Sequence, residues 1–223
     1  MRPNYNKYTV LLKIKIMMLN KFNKEDLLPL ICAAAALRRE NYLRAFIEKA
    51  KENGVKEHEL YESLLQNYLF TGYPSALISL KIFNEYFPRM KSTKNENWDS
   101  NKFIERGTKN CKRIYGRKFN KLISSVKTFS PELSDWLVLE GYGRVLGRQG
   151  LSLRKRELNI VAVLVVLRFE GQLYSHINGA IRTNTSIDQV RRVIKNLNVF
   201  DDIEMVKFGR KVLSRYLEDK GIG

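Results

Sequence analysis

Two residues in the second half of the chain, Glu157 and His176, are of types suited to moving a proton. A histidine changes protonation near neutral pH, and a nearby carboxylate can orient it or share its proton. On one straight helix the two would stand nearly 30 Å apart at about 1.5 Å per residue, too far to cooperate. If the chain reverses near Arg168, Glu170 and Gly171, two antiparallel helices reduce the axial offset to about 6 Å. Spacing alone leaves a plainer alternative open, with His176 hydrogen-bonded on its own helix and Glu157 a first-turn carboxylate favoured by the helix dipole. Gln172, one turn before His176, could hydrogen-bond a substrate, while Tyr142 and Arg148 could hold a carboxylate; all three equally suit ordinary polar or loop positions. His58 and His176 offer no metal-ligand spacing, so neither a metal nor an organic cofactor is expected.

The elements that must position these groups read as helices. Residues 27–51 form one helical stretch, with Ala33, Ala34, Ala35 and Ala36 favouring helix and Leu43, Phe46, Ile47 and Ala50 at three- and four-residue spacing. Gly54 stops it. A second helix is expected over about 57–70, and Gly72-Tyr73-Pro74 then breaks the pattern before a third through Tyr86. Residues 88–110 are polar and read as a connector, and 111–129 as helical. Ser130 with Pro131 marks a helix start, and that helix should run to about Leu139. Gly141, Gly143, Gly147 and Gly150 read as a turn-rich loop without phosphate-loop spacing. Ser152 caps a buried apolar helix through Leu167, followed by helices over 171–182, 186–199 and 204–217.

Laying residues 27–87 on 157–217 exposes an internal repeat. Leu37-Arg38 falls on Leu167-Arg168, Glu40 on Glu170, Leu43 on Leu173, Ile47 on Ile177, Ala50 on Ala180, Phe70 on Phe200 and Tyr86 on Tyr216. The register holds without a gap, which predicts two related three-helix units. His176 then stands opposite Phe46 and Glu157 opposite Leu27, so only the second unit has the titratable pair. The division expected is a basic leader over 1–20, a first unit over 21–87, the connector over 88–110, and connecting helices with the second unit over 111–223.

Composition bounds the remaining possibilities. The 223 residues are 44% hydrophobic, enough for one core or two small ones. Cys32 and Cys111 are too few for a disulfide framework, and both read as small core residues in a reducing compartment. The apolar run over 8–19 is interrupted by Lys13 and Lys15 and followed by no small-residue cleavage site, which argues against a secretory signal and for a cytoplasmic protein. Met17 and Met18 leave a shorter natural start open. No stretch is long and apolar enough for a membrane span. A net charge of +17 permits an acidic partner, but Lys and Arg are spread along the chain without a zinc-finger, RNP or GXXG pattern. A solvated basic surface explains the charge as well as nucleic acid does.

The residues Ser130-Pro131-Glu132-Leu133, Glu140-Gly141-Tyr142-Gly143-Arg144-Val145-Leu146, Arg156-Glu157-Leu158, Gln172-Leu173-Tyr174-Ser175-His176 and Gly179-Ala180 form a pattern. It resembles that of the carboxymuconolactone decarboxylase family, which includes the AhpD-type alkylhydroperoxidases. The resemblance covers about 60–217, with Gln66 and Tyr73-Pro74 in the first unit, and is most specific over 130–195. It implies an all-α AhpD-like fold, a homo-oligomer built as a trimer or dimer of trimers, and a pocket with Glu157 and His176 as the proton relay. It also implies decarboxylation or proton transfer on a small organic anion or lactone. The redox cysteines of the AhpD-type members fall here on Phe169 and Gln172, so thiol peroxidase chemistry has no nucleophile. Two further readings are an antioxidant protein of that fold without the cysteines, and a non-catalytic basic oligomer that binds nucleic acid or another acidic partner.

Overall fold

A computed structural model describes residues 21–90 and 96–222, and every regular element among them is helical. The leader over 1–20, with its alternative start sites, and part of the connector lie outside the described residues. In chain order the helices are α1 Lys24–Ala36, α2 Glu40–Glu52, α3 Glu57–Gln66, α4 Tyr68–Tyr86, α5 Ser100–Tyr115 and α6 Phe119–Lys127. They continue with α7 Pro131–Trp136, α8 Leu153–Leu167, α9 Glu170–Arg182, α10 Ile187–Asn196 and α11 Ile203–Lys220. A π-helical segment, Leu137–Val145, prolongs α7, and short 3₁₀ turns follow α5 and α10.

Capping chemistry explains several starts. The side-chain oxygens of Ser130, Ser152 and Ser186 accept from the backbone N–H of Leu133, Lys155 and Gln189, three residues on in each case. Ser186 and Gln189 complete a capping box. The helix α8 is apolar nearly all round and buried over most of its length, as is α1, and the two pack against each other at the centre.

The stretch read as one helix over 27–51 is two. Arg38 takes the left-handed conformation (φ 55°), and the Arg39 N–H bonds back to the Ala34 carbonyl at 3.0 Å, closing α1 and turning the chain into α2. The second half repeats this turn 130 residues on: Arg168 has φ 58°, and the Phe169 N–H meets the Leu164 carbonyl at 3.1 Å. The same offset relates α2 to α9 (40 against 170) and α3 to α10 (57 against 187), each pair equal in length. The repeated stretch therefore holds four helices in place of the three expected. Its fourth helix in the first half is α4, broken at Gly72, where φ of 75° suits glycine, with Pro74 opening the second part.

Two further expectations are corrected. The connector contains α5, whose Phe103, Gly107, Cys111 and Ile114 form a buried stripe at three- and four-residue spacing. The glycine-rich stretch is helical as far as Val145. Gly107 and Gly143 let α5 and the π segment touch backbone to backbone: a Cβ on Gly107 would stand 2.0 Å from the Val138 carbonyl oxygen, and one on Gly143 2.2 Å from that of Phe103. These glycines thus serve packing, and only at Gly150 (φ 96°) does the stretch use glycine for a turn.

Candidate active site

Glu157 sits in the second turn of α8 and His176 in the middle of α9, with the reversal at Arg168 between them. The two helices run antiparallel in contact, and Glu157 Oε2 meets His176 Nδ1 at 2.9 Å. The carboxylate is fully buried, and His176 is 6% exposed. Gly179, one turn after His176, makes room for the pair, since a Cβ there would stand 2.4 Å from Glu157 Oε2. On the other side Phe70 packs edge-to-face on the imidazole, with ring centroids 6.0 Å apart. The second carboxylate oxygen, Oε1, is buried without a hydrogen-bond partner among the described residues. A carboxylate held in this way has unspent acceptor capacity, which is costly unless it serves a purpose.

His176 lines an open cavity of about 810 Å³ formed by the start of α4, the end of α5, the α6 and α7 helices, the π segment and the first half of α9, with Tyr73, Phe129, Leu133 and Trp136 of its wall exposed to solvent. Gln172 and Ser175 share its wall with His176, as α-helical spacing requires. The wider turn of the π segment brings Leu137, Glu140, Gly141 and Tyr142 to the same space. Buried Tyr142 and half-buried Tyr115 join hydroxyl to hydroxyl at 2.7 Å. Burial is the main cause that raises both phenols above their usual range, and the negative charge of Glu157 adds to it. Both hydroxyls therefore keep their hydrogens at neutral pH. At another point of the wall Tyr68 bonds to Glu140, whose carboxylate also takes Arg144 at 3.0 Å.

The structure thus brings Glu157, His176, Gln172 and Tyr142 to one place, and Arg148 to another. Arg148 Nε bonds to both oxygens of Glu62, at 3.0 and 3.2 Å, and is not on the cavity wall. That arginine is drawn away because fully buried Glu62 needs compensation. Arg156, also fully buried, reaches Glu62 at 2.9 Å and Gln66 at 3.2 Å. Sequence reasoning missed this network, although a charged residue directly before Glu157 at the head of an apolar helix was a signal. It also missed Tyr115, Phe70 and the Tyr68–Glu140 contact, which come from segments distant in sequence, and it quoted Gly179 without seeing that its missing side chain makes room for Glu157. No family model matches the chain, and no curated protein matches it either.

Proposed function

We propose that this chain is a proton-transfer enzyme, of the kind its resemblance to the carboxymuconolactone decarboxylase family implies, acting at a carbon next to a carbonyl or lactone. The observation that carries the reading is the buried Glu157–His176 pair, 2.9 Å apart, on the wall of an 810 Å³ cavity. A carboxylate only accepts hydrogen bonds, so the pairing puts hydrogen on Nδ1 and leaves Nε2 with the lone pair. Nε2 takes the proton from carbon, and the carboxylate offsets the imidazolium charge that results. The electron pair left by the C–H bond moves to the carbonyl oxygen as an enolate. Tyr115 and Tyr142 carry two hydroxyl hydrogens, of which one joins the two oxygens and the other is left to donate to that enolate. Return of the proton to a different carbon gives an isomer.

The thiols argue against the peroxidase alternative. Cys32 and Cys111 are wholly buried, and burial pushes the Cys111 thiol up to about 12 and that of Cys32 higher still. The reading includes assembly into a trimer or dimer of trimers, which is supported by exposed Leu77 and by Tyr73, Phe129, Leu133 and Trp136, which are exposed on the wall of the cavity itself, so that assembly there would close it. Light scattering that finds only monomer at micromolar concentration contradicts that part. The chemistry is tested by deuterium exchange in D₂O, followed by proton NMR, on aryl ketones and lactones beginning with 1-tetralone. The wild-type protein should accelerate exchange next to the carbonyl by at least about a hundredfold, the scale of general acid–base catalysis. Glu157→Gln and His176→Asn should each abolish the acceleration, and the double variant should be no worse than either. Equal exchange in wild type and both variants across the panel contradicts the reading.

A further inference from the structure

The charge of the molecule and the character of its cavity point in opposite directions. The chain carries +17 overall, yet among the described residues no lysine or arginine lines the cavity. Among the described residues, its charged or titratable lining groups besides tyrosines are Glu140 and His176. The Glu140 carboxylate is already matched by Arg144, and His176 is backed by Glu157. An entering anion would meet the Glu140 carboxylate and, among the described residues, no lysine or arginine on the wall. An entering cation would find Glu140 taken. Apart from the uncharged polar side chains of Gln172 and Ser175, the rest of the wall is mostly apolar or aromatic, with Leu69, Leu122, Val126 and Leu146 beside the aromatic rings. A volume of about 810 Å³ lies within the roughly 300–1,000 Å³ of cavities that enclose whole small-molecule ligands.

We infer that the substrate is an uncharged, largely apolar molecule of ring-system size, carrying a single carbonyl or hydroxyl oxygen that sits by His176 and the Tyr115–Tyr142 hydroxyls. This deepens the proton-transfer reading and rests on it for the placement of the oxygen. It replaces the small organic anion expected from the sequence. The basic surface then serves solubility, and the cavity wall offers the anions that the surface attracts no partner to replace the water they would shed on entering.

Three probes of nearly equal shape test this at neutral pH: 2-naphthol, which is neutral; 2-naphthoate, an anion; and 2-naphthylmethylammonium, a cation. Calorimetry is done at about 0.5 M salt so that the surface charge is screened and only cavity binding remains. The neutral probe should bind at least about tenfold more tightly than either ion, and Ser175→Trp or Gln172→Trp, which fill the cavity from its wall and mouth, should weaken it by at least about tenfold. Gln172 is exposed, so its variant keeps the fold if the other does not. Tighter or equal binding of either ion, no saturable binding of 2-naphthol, or binding that both tryptophan variants leave unchanged overturns the inference. Binding that persists without any proton exchange keeps the substrate class and removes the chemistry, so the two failures are distinguishable.

Discussion

At the scale of single residues the account depends on how Glu157 is held. Its full burial makes the pair sensitive, because removing the imidazole altogether strands a carboxylate in the interior at a cost of about 3–5 kcal/mol. Substitutions that keep the shape, such as Glu157→Gln and His176→Asn, therefore report on chemistry more cleanly than alanine does. Gly179 is the residue whose side chain would collide with the pair, since its Cβ would stand 2.4 Å from Oε2. Gly179→Ala should push the carboxylate off Nδ1, cutting exchange activity at least about tenfold and stability by about 1–3 kcal/mol, measured by NMR exchange and urea unfolding. The thiols give a pH prediction. Burial first, then the charge of Glu157, raises Cys111 from 9.0 to about 12 in the folded chain. Between those values the unfolded chain has lost a proton that the folded chain keeps, so stability falls as pH rises from 9.0 towards 12. Melting temperatures should decline over that window more steeply in wild type than in Cys111→Ala, and neither cysteine of the native protein should react with iodoacetamide at neutral pH.

At the scale of elements, much was legible where local chemistry decides structure. The serine caps at 130, 152 and 186, the buried run of α8 and the reversal at Arg168 follow from residue types within a few positions of each turn. The turn at Arg38 was hidden because an arginine in the left-handed region, costing roughly 1–2 kcal/mol, announces nothing in a sequence rich in helix formers. It was recoverable only by carrying the reversal at Arg168 back through the repeat. The helix α5 was hidden for another reason: Gly107 and Cys111 complete its buried stripe and read as neither helix-forming nor strongly apolar. The glycines of the π segment face the same ambiguity, since a glycine for a turn and a glycine for close packing look alike. Gly143→Ala separates them. A methyl group there would meet the Phe103 carbonyl at 2.2 Å, with backbone on both sides, so a loss of more than about 2 kcal/mol in urea unfolding is expected. A neutral result contradicts the packing role.

At the scale of the whole molecule, α1 and α8 pack against each other, and two of the ion pairs between the halves of the chain stand 130 residues apart. Arg156 bonds Glu62 at 2.9 Å, and at the positions 130 away Asp26 bonds Arg192, also at 2.9 Å (156 against 26, 192 against 62). The charges are exchanged between the copies. Gln66 supports the first pair and Asn196 the second, again at equivalent positions. The repeat alignment over 27–87 and 157–217 stops one residue short of Asp26 and Arg156, and only the packing shows that each acid meets a base from the other half. The Arg156 pair is wholly enclosed, whereas Arg192 is partly open to solvent. Arg156→Met should therefore cost about 3–5 kcal/mol by leaving Glu62 under-compensated, and Arg192→Met about 1 kcal/mol or less. Similar losses from both in denaturant unfolding contradict this ranking. The candidate site lies on one side of the α1–α8 contact only, where Phe46 and Leu27 of the first half give way to His176 and Glu157.

The central claim is that Glu157 fixes His176 with hydrogen on Nδ1 and presents Nε2 as the base. Nitrogen-15 NMR of the side chains tests it directly, because the chain has two histidines and His58→Gln leaves one set of signals. Above the pH where the ring is charged, Nδ1 of His176 should show the shift of a protonated nitrogen and Nε2 that of a lone-pair nitrogen, and Glu157→Gln should abolish this preference. Hydrogen on Nε2 in the wild-type protein, or a tautomer that Glu157→Gln leaves unchanged, contradicts the account.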